Sequence, residues 1–420
     1  MRSRLLAVAI AAGLGVSSFT AMAAPAPQST NAASTSEIAQ LKAQLAALQA
    51  KVDSLEQRTD AQSDINVSSG QAVAQATTVS ADTDKRLATL EKIVNNTSVG
   101  GKMYFDVSNL DVKNSDTGKT DASGVGIDVK RFYLTVDHKF NDIWAANLTT
   151  DFVYQSLLGR TDLFVKKAYV EGKFDPAFKL RIGSADMPWI PFVEGWYGFR
   201  YVEPTMTDRL AFANSADWGL HASGDFGSNK TVGYAVSMVN GAGYKNPGRS
   251  KGVDFEGRVG FSPFENMVLA VGGYSGKRGK VNENTPAPTN TATRGDVLLA
   301  YANKNFRVGA EYFNAKDWNQ VLSPVSDKSD GYSLWGSVAV ADRISLFARY
   351  DNVNLSTDLD KNANDEYYNA GVQYDVTKGF LLSLVYKHEK GDKSVNDPML
   401  PTRVVSVKSD EIGVFGEVKF

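Results

Sequence analysis

The chain contains no cysteine, only three histidines and only 13 prolines in 420 residues. Without cysteine there can be no disulfide scaffold, no thiol redox motif and no thiolate zinc site. The histidines, His138, His221 and His388, stand far apart and form no HExxH pair, so each reads as a wall or surface residue and no metal or cofactor is expected. A surplus of one charge is missing too. With 45 Lys and Arg against 47 Asp and Glu, the net charge of -2 excludes a nucleic-acid-binding surface. After the first two dozen residues no long apolar run occurs and the mean hydropathy is -0.26, so no later segment spans a bilayer as a helix.

The chain is rich in glycine (36), tyrosine (17) and phenylalanine (21), a composition suited to β-structure with many turns. Arg2 and Arg4, the run LLAVAIAAGLGVSSF and the small-x-small site Ala21-Met22-Ala23 read as an export signal over residues 1–23. A Pro/Ser/Ala-rich linker follows over 24–35. Ile38, Leu41, Leu45, Leu48, Val52 and Leu55 are then spaced 3, 4, 3, 4, 3, which predicts a coiled coil over 36–59. Glu37 and Lys51 at g positions would meet Lys42 and Glu56 at e positions of a parallel neighbour. β-branched residues at a with Leu at d favour a dimer. Residues 60–98 read as a linker carrying a short helix at Leu87, Leu90 and Val94.

From Val99 to Phe420 the apolar period changes to two. Phe132, Leu134 and Val136 alternate with Arg131, Tyr133, Thr135 and Asp137, and Ile344, Leu346, Ala348 and Tyr350 alternate with Ser345, Arg349 and Asp351. About sixteen such segments occur, each long enough for the 9 to 11 residues a membrane strand needs. Their connectors alternate between short turns, such as Asn141-Asp142 and Ala341-Asp342, and longer loops, such as Val112 to Gly124 and Lys390 to Arg403. In hydrocarbon every backbone N–H and C=O must pair within the protein, so strands span only as a closed barrel. The expected fold is all-β: a 16-stranded antiparallel transmembrane β-barrel over 99–420, preceded by a short coiled-coil helix. An even strand count puts both termini at the short-turn rim. Tyr104, Trp144, Phe174, Phe178, Trp218, Phe226, Phe261, Phe306 and Phe420 are expected to form aromatic girdles at the bilayer interfaces.

The longest interruption, Met187 to Ser215, holds Trp189, Phe192, Trp196, Tyr197, Phe199, Tyr201 and Phe212, too many aromatics for a disordered loop. We expect it to fold into the lumen and present Glu194, Arg200, Glu203, Asp208 and Arg209 as the pore constriction. The pore wall is expected to carry Arg131, Lys167, Lys179, Arg181, Arg258, Arg307 and Arg349. It also carries Asp137, Asp151, Glu171, Asp254, Glu256, Glu311, Asp351 and Glu417. The two sets nearly balance, so composition alone sets no strong anion preference. The chain ends in EIGVFGEVKF, where Ile412, Val414, Gly416, Val418 and Phe420 share the lipid face. Phe415, on the other face, is a misfit in a water-filled channel. This last strand is expected to close the barrel against the first, near Lys102 to Asp111.

The runs DVKRFYLTVDHKFNDIWAANLTTDF, LFVKKAYVEGKFDPAFKLRIGSADMPWIPFVE and RLAFANSADWGLHASGDF resemble the phosphate-selective porin O/P family of Gram-negative outer-membrane channels. That resemblance implies a homotrimer of barrels for passive diffusion of small hydrophilic solutes, anions such as phosphate among them. A terminal aromatic strand resembles the assembly signal of such barrels, which implies Phe420 and Val418 as contacts for the barrel-assembly machinery. The partners expected are therefore small solutes or anions, the lipid bilayer, two further copies of the chain, and peptidoglycan for the N-terminal segment in the periplasm. The alternatives are an envelope adhesin or tether built on the coiled coil, and a barrel hydrolase, for which no nucleophile-elbow motif is present.

Overall fold

A computed structural model of the chain describes residues 34–155, 160–227, 230–287, 289–395 and 403–420. The expected signal peptide, 1–23, and all but the last two residues of the expected linker, 24–35, lie outside these.

The first element is a helix, α1 (Ser34–Asn96), of 63 residues. The heptad residues Ile38, Leu41, Leu45, Leu48, Val52 and Leu55 lie on it and are all exposed in the single chain. The segment from 60 to 81, expected as linker, is helical throughout. No proline lies between Pro27 and Pro176 and Gly70 is the only glycine of α1, so nothing breaks the backbone. Its threonines bond back to the preceding turn, Thr59 to the Leu55 carbonyl (2.8 Å) and Thr77 to that of Val73 (2.8 Å), which removes their competition with the helix. The lesson is that a polar composition without a stripe does not exclude a helix. The described residues up to 88 and those from 89 onward fall into two compact units.

Sixteen antiparallel strands follow: β1 (Thr97–Asn114), β2 (Thr120–Lys139), β3 (Trp144–Gln155), β4 (Arg160–Asp175), β5 (Phe178–Asp186), β6 (Ala216–Phe226), β7 (Val232–Val239), β8 (Asp254–Phe261), β9 (Met267–Gly276), β10 (Ala292–Ala302), β11 (Phe306–Lys316), β12 (Lys328–Ala341), β13 (Ile344–Asn354), β14 (Asn364–Thr377), β15 (Phe380–Val395) and β16 (Arg403–Lys419). Each pairs with its sequence neighbours, and β16 pairs with β1 to close the barrel. The register at this seam runs from Lys102 opposite Lys419 to Asn114 opposite Val407. The expected 16-stranded barrel and its closing pair are thus present. Much of the expected loop 112–124, however, is strand. β1 and β2 are 18 and 20 residues long, well beyond what a bilayer needs, because their polar ends go on pairing past the hydrocarbon.

Alternation along the strands turns apolar side chains outward. Val297 and Leu299 on β10 are exposed while Asp296 and Leu298 are buried inside. At the short-turn rim the aromatic girdle is continuous in places: Trp144 meets Phe174 edge-on at 5.5 Å, and Phe174 stacks on Phe178 at 5.8 Å. Tyr104 was expected there but faces the lumen, 4% exposed, because it shares the parity of Asp106 and Ser108 on β1. At the chain end the outward ring of Phe420 lies over Gly101 of β1, where a Cβ would come within 2.3 Å of the ring. Gly101 and Phe420 exchange two backbone hydrogen bonds, of 2.9 and 3.1 Å.

Two β-bulges alter the lumen. Opposite Thr149-Thr150 of β3, strand β4 inserts an extra residue, Lys166, between Val165 and Lys167. Opposite Tyr104-Phe105 of β1, strand β2 inserts Lys130 between Val129 and Arg131. A bulge sets two consecutive residues against one on the partner strand. Both pairs, Lys130-Arg131 and Lys166-Lys167, consequently turn their side chains from the lipid, and both are partly shielded from water.

Candidate functional site

The inserted loop, residues 187–215, begins and ends on adjacent strands, and its neck is closed by the Met187 N–H donating to the Ser215 carbonyl (3.1 Å). From this neck it folds against the inner face of β8 to β15. Trp189 is fully buried. Its backbone N–H donates to Glu256 (2.9 Å) and its indole N–H to Glu311 (2.8 Å), and its ring occupies the place a Cβ at Gly272 would need. Helix α2 (Ile190–Tyr197) carries Pro191 in its first turn, where a missing N–H costs nothing, and is capped at its C-terminal end by Gly198 with φ of 81°. Arg307 donates to the Gly195 and Trp196 carbonyls, so a cation caps the negative end of the helix.

Beyond α2, Phe199 stacks on Phe347 at 4.2 Å, and the Tyr201 hydroxyl donates to Gln373 (2.8 Å) beside Ser383. A single turn, α3 (Met206–Arg209), carries Arg209 into a cluster of carboxylates: Asp365 at 2.5 Å, Glu389 at 2.8 Å and Asp351 at 3.2 Å. Val268, Ala270, Leu298, Ala300, Trp335 and Phe347 give the wall an apolar lining where the loop sits, and together with Trp189, Val193 and Tyr197 they make one buried cluster inside the barrel. Phe415, the misfit of the last strand, belongs to the same cluster. Its ring lies between two ammonium groups, Lys387 at 4.0 Å and Lys130 at 4.8 Å from the centroid.

The five expected constriction residues divide into two groups. Glu194, Arg200 and Asp208 form one ion-paired set, with Arg200 at 2.6 Å from Glu194 and 3.3 Å from Asp208, facing β1 to β4. Arg209 and Glu203 instead tie the loop to β13–β16, Glu203 through Lys387 at 3.0 Å. Burial pushes the Glu203 carboxyl up, but Lys387, Lys130 and Arg209 outweigh it and hold the group at about 2. A carboxyl depressed from 4.5 stabilises the loop fully above pH 4.5 and loses that contribution as pH falls toward about 2. The tie from Glu203 to Lys387 should accordingly hold from pH 7 to 5 and be lost only in strong acid, and a Glu203→Gln variant should show an altered single-channel conductance already at pH 7.

The seven expected wall residues also divide. Arg258, Arg307 and Arg349 donate to backbone carbonyls of the loop, those of Pro188, Gly195 with Trp196, and Pro204, so they hold it instead of meeting solute. Arg131 pairs with Asp151 (2.7 Å), Lys167 with Asp186 (2.6 Å) and Arg181 with Glu171 (2.7 Å) beside the passage. Lys179 lies one inward position further along β5, next to the short-turn rim.

Sequence reasoning missed Lys166 and Lys130. The signal was there as a slip in apolar spacing: outward residues run Ile127, Val129, then Phe132, and Leu163, Val165, then Ala168, three apart at each bulge instead of two.

Between the loop and β1–β4 lie two cavities that share Tyr133, Lys166 and Arg200. One, of 380 Å³, opens toward the short-turn rim past Lys102 and Lys419. The other, of 160 Å³, opens toward the long loops past Arg131 and Lys245. Together they are lined by seven cationic side chains, namely Lys102, Arg131, Lys166, Lys167, Arg200, Lys245 and Lys419, against three carboxylates, Asp186, Glu194 and Asp208. A third cavity, of 980 Å³, lies between Glu203, Arg209 and β13–β16 and is lined by more acidic groups, among them Glu389, Asp392 and Glu411.

Three solved structures share this architecture. The anion-selective porin from Comamonas acidovorans matches with a TM-score of 0.54 at 11% identity, over 77% of this chain and 100% of that one. The outer-membrane channel DcaP of Acinetobacter baumannii matches at 0.53 and 12%, over 77% and 97%. OmpF of Salmonella typhi, in complex with daunomycin, matches at 0.51 and 12%, over 77% and 98%. At such identities the likeness is one of fold. No curated protein sequence matches the chain. Residues 155–394 match the family model described as Gram-negative porin, more than half of the sequence. With a closed 16-stranded barrel and a loop folded inside it, the chain belongs to the Gram-negative porin family.

Proposed function

We propose that this porin is a passive, non-enzymatic channel of the outer membrane that carries small hydrophilic solutes and prefers anions. The observation that supports the preference is the excess of cationic over acidic side chains along the two cavities beside Lys166. In a narrow low-dielectric passage such an excess raises the local concentration of anions. Phosphate is the anion that the resemblance to the O/P family implies, but the carboxylate-paired Arg131, Arg181 and Arg200 do not favour specificity for it. Glu194, Arg200 and Asp208 form the constriction, with Glu203 and Arg209 as its anchors.

The same reading assigns residues 1–23 to a signal peptide, 24–35 to a linker and 36–59 to a parallel coiled coil in the periplasm. There it would join three chains and reach toward peptidoglycan. Phe420 and Val418 serve as the assembly signal. Reversal potential in a potassium chloride gradient across a planar bilayer tests the central claim. A potential of the sign set by chloride is expected, and one set by potassium would overturn the anion preference.

A further inference from the structure

The guanidinium groups along the passage are already neutralised: Arg131 by Asp151, Arg181 by Glu171, and Arg200 by Glu194 and Asp208. Guanidinium is the fork that reads phosphate and sulfate through two parallel hydrogen bonds, so this passage keeps few free forks for such anions. Ammonium groups remain. Among the described residues, Lys102, Lys166 and Lys245 have no carboxylate oxygen within 4.0 Å.

Each lies over aromatic rings instead. Lys166 is 4.8 Å from the Tyr133 centroid and 5.8 Å from that of Tyr244. Lys102 is 5.8 Å from Tyr104, and Lys245 is 5.3 Å from Phe164 and 5.9 Å from Tyr244. The rings form two edge-to-face pairs, Tyr104 with Tyr133 at 5.9 Å and Phe164 with Tyr244 at 6.4 Å. A ring face attracts the cation without cancelling its charge, so the ammonium keeps its pull on a passing anion. Lys166 lines both cavities, with Lys102 in the one toward the short-turn rim and Lys245 in the other.

We propose that Lys166, flanked by Lys102 and Lys245, forms a binding subsite for aromatic monocarboxylates within the constriction. The carboxylate meets an ammonium while its ring packs on the tyrosine and phenylalanine surface beside it, a gain that a small aliphatic carboxylate of equal charge cannot make. The bulge in β4 is what lets Lys166 and Lys167 both face the lumen, since strict alternation would turn one of the two toward lipid. This subsite rests on the anion-preferring porin reading and narrows its solute class.

The test uses the full-length protein in planar bilayers carrying a chloride current, with benzoate, acetate and inorganic phosphate added in turn. Benzoate should reduce the current at about tenfold lower concentration than acetate or phosphate, and Lys166→Gln should raise the benzoate concentration needed by about tenfold, the ratio expected from losing one charged contact. Lys166→Arg should retain the effect, and Tyr133→Leu should weaken benzoate while leaving acetate unchanged. Equal potency of benzoate and acetate, or a Lys166→Gln channel that assembles and still responds to benzoate like the parent, overturns the subsite. A reversal potential set by chloride together with either of those results leaves the anion-preferring reading standing. A potential set by potassium removes both.

Discussion

Shortening the inserted loop to a turn should raise single-channel conductance several-fold and remove most of the charge selectivity. The neck bond between Met187 and Ser215 allows residues 190–213 to be replaced by a Gly-Ser pair without disturbing the β5–β6 ladder. What is lost is the body that fills the lumen. A 16-stranded barrel is wide enough for an aqueous channel unless something occupies it, and here α2, α3 and their aromatic side chains do so. The variant should also melt at a lower temperature, because Val268, Ala270, Leu298 and Ala300 would then meet water. A milder version is Arg209→Ala, which takes away the cation held by Asp365 and Glu389 while Asp351 keeps Arg349. Breaking buried pairs of this kind costs roughly 3–5 kcal/mol. The far half of the loop should detach, giving a noisier channel of intermediate conductance. If the deletion left conductance and selectivity as they were, the loop could not be the constriction.

Changing Gly101 to valine should swing the Phe420 ring off β1 and lower the amount of folded barrel in the membrane, by less than a break in the β1–β16 register from Lys102 to Asn114 would. A Cβ at this position comes within 2.3 Å of the Phe420 ring, and the two backbone bonds between Gly101 and Phe420 complete the last rung of the seam. Gly295 provides the control. It faces outward on β10 with nothing within 4 Å of an added Cβ, so Gly295→Ala should assemble normally. Deleting Phe420 should match Gly101→Val when heat-resistant trimer is measured by electrophoresis. Normal assembly of Gly101→Val beside failure of the deletion would mean that Phe420 acts as a signal alone and not through its fit against β1.

The barrel was legible because its period of two follows from the backbone: alternate side chains must face lipid, and the apolar residues at 132, 134 and 136 record that requirement directly. The loop was legible from its length and its rings. Its seat was harder to see. Val268, Ala270, Leu298 and Ala300 are apolar positions on the inward face, and runs such as VLLA in β10 read as strands buried on both sides, but nothing in a single sequence says what covers them. The roles of Arg258, Arg307 and Arg349 were illegible for the same reason. An arginine on an inner wall meets solute or holds a loop depending on a tertiary contact 70 to 145 residues away in the chain. Helix α1 was underestimated because its middle has no apolar stripe, although nothing in it opposes a helix.

The two bulges carry a consequence for how such a channel can change over time. An inserted residue at 130 or 166 shifts the phase of its strand once and leaves the lipid-facing pattern intact on either side. Gaining or losing one codon there would add or remove a lumenal charge without exposing a polar group to hydrocarbon. Solute preference in this barrel can therefore drift by small insertions and deletions within strands, a route that folds with solvent-covered surfaces do not need and that comparison of substitutions alone would overlook.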